Sequence, residues 1–574
     1  MKFDKQTIAA FVICIAVLLL WTPFCRMMGW IPEEKKPVSS EQPAAVKSPD
    51  DVVAGGKKSE IKPAAVNETK QVSEAANKIS NSKLLNIPLQ KISNKDIQMT
   101  FSPAEGDCKQ VVFKHYFKSD YKTEISLKNG IKPGALEIFG KEPWKVISIV
   151  DNSKTGDNSY KLVRKMETAS GQQFLLSQNW KIVDDFLADY TITVKNISGK
   201  ELELKDFSML GNPIPPMAQL SGDLIRRETH SVDYYTAEGS FGDIDIGGKE
   251  SKFEFTPKDK IKWVAVTNKY FTALLLPAKP FDQLVKKRIE RQGKKDEKDY
   301  FVGASGGLYS QVNVLSGKEV SFSAKYYCGP KIIAELKKVD SSASKLMHLA
   351  WGPLDWIARV MLNALVWLKS LCGSYGWSII IITIIVRLIF WPITQKANNS
   401  MKKMQTLQPK IKAIREQYKN DSQVMNSKVM ELYRQEKVNP LGGCLPILLQ
   451  IPVFIALYQT LDGAVELRQV PFWWAADLAK PDTVAVLFGL PLNPLILAMV
   501  GLMVIQQRLT PSAMDPMQQK MMLLMPLVML FFLYSLPSGL TLYWTVSQIL
   551  SIVQLLVQQK MNTGEKTKII KKTA

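Results

Sequence analysis

The residue with the most unusual setting is an arginine. Arg387 stands inside SIIIITIIVRLIFWPIT, residues 378–394, a run that carries no other charge. Holding a guanidinium at the centre of a bilayer costs about 3 kcal/mol on insertion scales. Three outcomes are open: the side chain reaches the surface, it faces water inside the protein, or the run does not cross a membrane. The run continues for about seven residues past Arg387, which is about 10 Å of helix, so snorkelling is one explanation. The neighbours point to another. Thr383 lies four residues before Arg387 and Trp391 four after, on the same helix face. Gln450 sits within LPILLQIPVF, and Thr541, Thr545 and Gln548 recur at helical spacing in the last apolar run. Each could simply bridge packed helices. Together they can line a polar cavity in the inner half of the bilayer. A fixed cation in such a slot attracts acidic or polar segments. That is binding and transfer chemistry, with no covalent step.

Other residue types support little else. The chain has 74 Lys and Arg against 53 Asp and Glu, a formal charge of +21. Such an excess suits anionic lipid or nucleic acid. The basic residues concentrate between and after the apolar runs, so the membrane reading comes first. The three histidines, His115, His230 and His348, are far apart in sequence. The six cysteines form no CxxC pair. Cys108 and Cys328 share the polar middle of the chain and either pair after export or stay as thiols. No GxxxxGK[ST] occurs, so nothing suggests nucleotide hydrolysis. The expectation is a non-enzymatic protein without metal or cofactor.

The elements that must position these residues fall into six segments. Residues 1–30, with Lys2 and Lys5 before an apolar stretch, read as an uncleaved signal anchor, since no small-residue cleavage site follows. A cleaved signal peptide is the alternative. Residues 31–84 are rich in Lys, Glu, Ser, Pro and Ala and read as a flexible tether. Residues 85–348 alternate in DYTITVKNIS and SKFEFTP, carry the strand-like run IKWVAVTNKYFTALLLP (261–277), and are punctuated by Gly and Asn turns. They predict an exported all-β sandwich closed by a helix over 331–348. Residues 349–375, with tryptophans at 351, 356 and 367, predict an amphipathic helix at the membrane interface; a buried helix of the sandwich is the alternative. Residues 376–560 hold five apolar runs, about 376–394, 442–462, 484–507, 520–536 and 538–557. Residues 561–574 form a basic tail. With the anchor, the fold class is a polytopic α-helical membrane protein of six spans with an exported β-sandwich.

Loop charges agree with that count. The loop 395–441 and the tail are basic, whereas the loop with Asp462, Glu466, Asp477 and Asp482 is more acidic. The positive-inside rule then puts both termini and 395–441 in the cytoplasm and the sandwich in the periplasm. Loop 395–441 reads as two amphipathic helices joined near Asn420. Met401, Met404, Leu407 and Ile411, with Ile414, recur on one face. That face suits varied apolar partners or packs on itself. Pro446, Pro452 and Pro526 interrupt helix ladders, as kinked helices around a wet groove would.

These residues resemble the YidC family of membrane protein insertases. The matching pieces are TIIVRLIFWPIT, MQTLQPKIKAIREQY, ELYRQEKVNPLGGCLPILLQIPVFIALYQ, VELRQVPF, DPMQQKMM and LPSGLTLYW, in the family's order over about 376–560. WVAVTNKYFTALLLP and YYCGPK are similar to the periplasmic domain of the Gram-negative form. The resemblance implies insertion of nascent transmembrane segments into the inner membrane through a hydrophilic groove open to lipid. It also implies help in membrane protein folding, alone or beside the Sec translocon, with the translating ribosome meeting the cytoplasmic face weakly or transiently. Anionic lipids are further expected partners; no nucleic-acid motif occurs. The family's groove arginine and threonine fall on Arg387 and Thr383. Its substrate-contacting slide falls on Ile451, Phe454, Phe532, Tyr543 and Trp544. Trp544 replaces a common tyrosine and Ile451 a common methionine, and both changes keep the slide apolar.

Two other readings compete. A transporter or channel would show acidic residues within spans or inverted repeats, and neither is visible. Alternatively the sandwich is the working part, as a chaperone or a carbohydrate-binding module in which Trp144, Trp180, Tyr234 and Tyr235 stack on sugar; core packing is the reading preferred for most of these aromatics.

Overall fold

A computed structural model describes residues 87–573, apart from 129–135, 137, 222–228, 247–257, 292–299, 348, 351–353, 437, 439–444 and 511–515. The predicted anchor 1–30, the tether 31–84 and the alternation at SKFEFTP lie outside the described residues. The chain divides into two compact units. The described part of the first is the short stretch up to Ile451 that opens one helix; the second comprises Asn86–Gly443 and Pro452–Ala574.

The middle of the chain alternates because each strand has one wet and one dry side. Gln173–Ile182 buries Phe174, Leu176, Gln178, Trp180 and Ile182, and exposes or half-exposes the residues between them. This strand belongs to a nine-stranded antiparallel sheet. Its order is Phe241–Asp245, Ser231–Thr236, Ile261–Thr267, Phe271–Pro277, Glu319–Pro330, Leu187–Asn196, Gln173–Ile182, Ser159–Glu167, Lys145–Lys154. A four-stranded sheet is built from Gln283–Arg291, Tyr300–Val314, Leu202–Leu210 and Ile138–Phe139. Another takes in Gln90–Ser93, Ile97–Ser102, Asp107–Phe117 and Glu124–Lys128. One continuous hydrophobic core joins all three. Trp180 lies at its centre, stacked between Tyr160 and Tyr190 with ring centroids 5.3 and 5.4 Å away. Trp180 is fully buried, Trp144 packs edge-on against Phe174, and Tyr235 stacks on Trp263. These rings, with the buried Tyr234, fill or edge the core, in line with the core-packing reading and against sugar stacking.

The strand-like run 261–277 is two strands, not one. Asn268 turns the chain: its Oδ1 accepts from the backbone N–H of Tyr270 and Phe271 at 3.0 and 2.8 Å. An Asn side chain that mimics a backbone turn favours this reversal. Lys269 and Tyr270 stand at the tip.

Among the described residues the first two helices are Met217–Ser221 (α1) and Ile333–Val339 (α2). A short 3-10 turn, Ser341–Leu346, follows, capped by the Asp340 side chain. Leu354–Cys372 (α3) buries Ala358, Met361, Leu362, Leu365 and Leu368. Its opposite face exposes Trp356, Val360, Trp367 and Leu371, at i, i+4, i+11 and i+15. Asp355 ties the N-terminus down, accepting from the N–H of Leu349 and pairing with Arg359 at 2.6 Å.

Next comes a long helix, Tyr375–Thr406 (α4), then Gln408–Gln417 (α5) and Ser422–Gln435 (α6). α4 therefore runs a further twelve residues beyond the expected span end at 394 and supplies the first part of segment 395–441. Leu445–Gly463 (α7), Pro494–Leu509 (α8), Pro516–Leu533 (α9) and Ser538–Thr573 (α10) complete the chain. α4 and the Ser538–Lys560 part of α10 are long and apolar enough to cross a membrane; Pro494–Leu509 and Leu524–Leu533 are shorter apolar helices. The predicted run 484–507 is corrected. Residues Ala485–Leu487 and Leu490–Leu492 pair as an antiparallel hairpin, and helix begins only at Pro494. Pro491 disfavours helix just ahead of it, and Phe488 and Gly489 both take positive φ, +53° and +81°, the geometry of a tight hairpin turn.

The β-rich domain and the helical core are clamped where α7 ends. Lys269 Nζ meets the Asp462 carboxylate at 2.7 Å, with Lys269 only 6% exposed. Tyr270 donates its hydroxyl to the Asp462 carbonyl at 3.0 Å. Gln469 Nε2 donates to the carbonyls of Phe117 and Lys118 at 3.1 and 2.7 Å, and Tyr121 donates to Asp477 at 3.3 Å. The turn Val465–Leu467 is shared: Val465 joins the core of the β domain and Leu467 that of the helices. Glu466 between them has Oε2 closed off from solvent without a hydrogen-bond donor among the described residues. Its charge would act on Tyr116 and Tyr327 of the β domain, which also sense Glu335, and on Tyr375 at the start of α4.

Burial pushes the Glu466 carboxyl up to about 7 from an ordinary value of 4.5. The native form thus holds a proton that the unfolded chain has released between these values, so stability falls as pH rises from about 4.5 to about 7. Thermal unfolding measured across that window should show this slope, and Glu466→Gln should flatten it. An unchanged slope in the variant would place the titration elsewhere.

Candidate substrate groove

α4 and α10 run parallel and meet through a ladder of polar side chains. Arg387 heads it. Its Nε donates to Ser547 Oγ at 2.7 Å, and its terminal nitrogen reaches the same oxygen. Further along, Thr394 and Gln554 exchange hydrogen bonds at 3.2 and 2.9 Å, and Gln554 also reaches the Trp391 carbonyl. Gln558 Nε2 then donates to Asn399 Oδ1 at 2.6 Å. A pocket opens between the two helices here, lined by Trp391, Gln395, Gln554, Val557 and Gln558. Arg387 is half-buried, flanked on its own helix by the exposed Leu388 and Ile389. Ser547 is fully buried.

The remaining groove candidates behave as follows. Thr383 is fully buried and returns its hydroxyl to the Ile379 carbonyl at 2.6 Å. Thr541 and Thr545 are buried on α10 and bond back to the carbonyls of Pro537 and Thr541. Such back-bonding satisfies a hydroxyl inside a helix bundle. Gln548 is buried, and its Oε1 has no donor among the described residues. Gln450 lies half-buried near the start of α7. Ser547 is thus a partner of Arg387 that sequence reading passed over, as it did Gln554 and Gln558. A signal was present: Ser547, Ser551, Gln554 and Gln558 recur at i, i+4, i+7 and i+11 in SQILSIVQLLVQQ, one polar stripe on an otherwise apolar helix.

The slide candidates divide. Phe454 packs edge-to-face on Trp544 with ring centroids 4.9 Å apart, and both are half-buried. Phe532 is 62% exposed beside Phe531. Ile451 is half-buried on α7. Tyr543 is different: at 2% exposure it belongs to the core of the helical bundle. It sits one residue from Trp544 on the helix, so their side chains point about 100° apart.

In the segment 395–441, Leu407 and Ile411 are buried with Val438, and Met404, Val429, Leu432 and Tyr433 pack around them. Met401 is half-buried on α4. The apolar face thus packs on itself. The hairpin is closed by Lys410 and Glu436 at 2.8 Å, and Asp421 caps α6.

A large β-rich domain clamped to an apolar helical bundle, two of whose helices are long and apolar enough to cross a bilayer, fits the class of membrane proteins with a water-facing domain. Comparison with known proteins sharpens this. Residues 89–364 match the family described as YidC periplasmic domain, and residues 367–566 the family described as 60Kd inner membrane protein. The chain is 36% identical over 451 residues to the membrane protein insertase YidC of Syntrophobacter fumaroxidans, covering 75% of this chain and 77% of that one. It is 46% identical over 255 residues to the insertase of Pelobacter propionicus, covering 44% of this chain and 47% of that one. A crystal structure of an active YidC insertase aligns over 85% of this chain and 98% of its own, at 18% identity and a TM-score of 0.34. The chain belongs to the YidC family of membrane protein insertases, inner-membrane proteins with a periplasmic domain.

Proposed function

We propose that this protein inserts nascent transmembrane segments into the inner membrane by sheltering their polar flanks at Arg387. The observation that carries this is the bond from Arg387 to Ser547 at the head of the polar seam between α4 and α10, within a run of α4 that carries no other charge. A charged group kept at that depth is a functional feature by default, because it is expensive to hold there. An acidic tail entering from the cytoplasm gains the attraction of the guanidinium in a low-dielectric setting. Its apolar stretch leaves along Phe454, Trp544 and Phe532 into lipid; Ile451 on α7 is a further slide residue of this reading. Burial of that stretch and the membrane potential supply the free energy, with no nucleotide.

The rest of the reading follows the same logic. The chain crosses the bilayer six times, with both termini cytoplasmic and the anchor 1–30 as the first span. The exposed face of α3, with Trp356 and Trp367, lies in the periplasmic interface. The α5–α6 hairpin stands in the cytoplasm. Its self-packed apolar side supports a rigid platform more than an open methionine surface. The Sec translocon and the ribosome are partners that meet this core during synthesis.

The test is to place a photoreactive residue in the apolar segment of a stalled client chain and map its crosslinks by mass spectrometry. Crosslinks to Phe454, Trp544 and Phe532 are expected. Crosslinks confined to α3 or to lipid would remove the slide.

A further inference from the structure

The hairpin Ala485–Leu492 is built to sit in lipid rather than in water. Val484, Val486, Leu487 and Leu490 are 48–68% exposed, and Phe488 at the tip is fully exposed. Alternate residues of a strand point to opposite faces, so these exposed side chains cover both faces of the ribbon. An isolated two-stranded ribbon is marginal in water and needs a surface to pack on. Here Ala485–Leu487 is exposed throughout, and only Pro491 and Leu492 at the base are half-buried. Phe488 also holds φ at +53°, a region that bulky residues rarely adopt. A turn of this kind favours Asn or Asp; here the position presents an aromatic ring instead.

What surrounds the hairpin identifies the occupant. It lies on the side of the helical core that carries the β-rich periplasmic domain: Asp477, which accepts from Tyr121 of that domain, is five residues from Asp482, which caps α8 by accepting from the Leu495 N–H. The hairpin is fastened at its base, where Tyr534 donates to the Pro491 carbonyl and Thr483 bonds Asn493. Tyr534 stands two residues after Phe532, and Phe531 and Phe532 are exposed at the end of the apolar helix α9, so the bond to Pro491 ties the ribbon to an apolar helix end. No charged residue occurs between Asp482 and Arg508. Alongside, Trp473 and Trp474 are exposed, and Trp377 at the head of α4 packs edge-on against Phe472 and Trp473. Tryptophans gathered at one end of apolar helices mark the headgroup level of a bilayer.

We propose that this hairpin is a membrane wedge, inserted tip-first into the periplasmic leaflet beside α8 and α9, which fixes the depth and tilt of the helical core. The occupant is phospholipid acyl chain. The inference rests on the membrane placement of the helical core and not on how the groove handles clients.

The test uses the full chain reconstituted in phospholipid vesicles, with p-benzoylphenylalanine replacing Phe488, a fully exposed ring whose substitution leaves the packed core untouched. Illumination and mass spectrometry then identify what it has labelled. The same replacement at Leu315, 60% exposed on the β domain, is the reference. Phospholipid adducts at 488 should exceed those at 315 by about tenfold or more, since burying a Phe ring in hydrocarbon is favoured by a factor of that order. Equal yields at the two positions would overturn the wedge, as would labelling at 488 of protein alone, whether a second copy or this chain's own β domain. A failed groove reading would leave these outcomes unchanged.

Discussion

Arg387→Ala should lower insertion of a single-span client with an acidic translocated tail by about tenfold or more, the loss expected when one charge-assisted contact of about 1.5–3 kcal/mol disappears. Arg387→Lys should keep most of the activity, because the tail answers to the charge more than to the shape of the donor. A client with a neutral tail should respond far less to either change. Ser547→Ala separates positioning from charge. It removes the hydroxyl that both Nε and a terminal nitrogen of Arg387 address, yet leaves the cation in place. It should weaken acidic-tail insertion only severalfold, with neutral-tail insertion unaffected. If Arg387→Ala and wild type insert both clients equally, the arginine is structural.

Lys269→Ala should loosen the β domain from the helical core. The pair with Asp462 is short, and the change strands a carboxylate that is only 17% exposed at the side chain. Removing one partner of a buried pair costs about 3–5 kcal/mol, and the partial exposure of Asp462 puts this one near the lower end. The readout is limited proteolysis and thermal unfolding of the full protein in detergent or nanodiscs. Earlier cleavage near the Ile261–Pro277 hairpin is expected. Replacing both partners together, Lys269→Met with Asp462→Leu, should recover much of the loss, because no charge is then left buried. A Lys269→Ala protein as stable as wild type would show that Gln469, Tyr121 and Tyr270 hold the domain unaided.

Much of this was legible in the sequence, for physical reasons that can be named. The alternation in DYTITVKNIS is visible because a strand with one dry face must repeat every two residues, and Leu187–Asn196 is that strand. Arg387 stood out because a charge inside an apolar run has few explanations. Its partner did not stand out, since Ser547 is one of many small polar residues in α10 and only contact across helices selects it. The run 484–507 misled for a different reason. Hydropathy counts apolar residues without asking about backbone geometry, and VAVLFGLPL is as apolar as the helix that follows it. The clues were local: a glycine two residues ahead of a proline, just where a turn and then a helix start must fall. The tyrosine at 543 shows the limit of position-by-position transfer. Next to Trp544 on a helix, it faces the bundle core while its neighbour meets Phe454.

If burial of the client's apolar stretch supplies the free energy, insertion at Arg387 needs no nucleotide, and a short client needs no Sec translocon. The most direct measurement uses proteoliposomes containing only this protein. A short single-span protein with an acidic tail is added after synthesis, without ATP, and scored by protection of its tail from external protease. Protection well above empty liposomes, and lost in Arg387→Ala, is expected. Protection no greater than in empty liposomes, with the reconstituted protein intact, would contradict it.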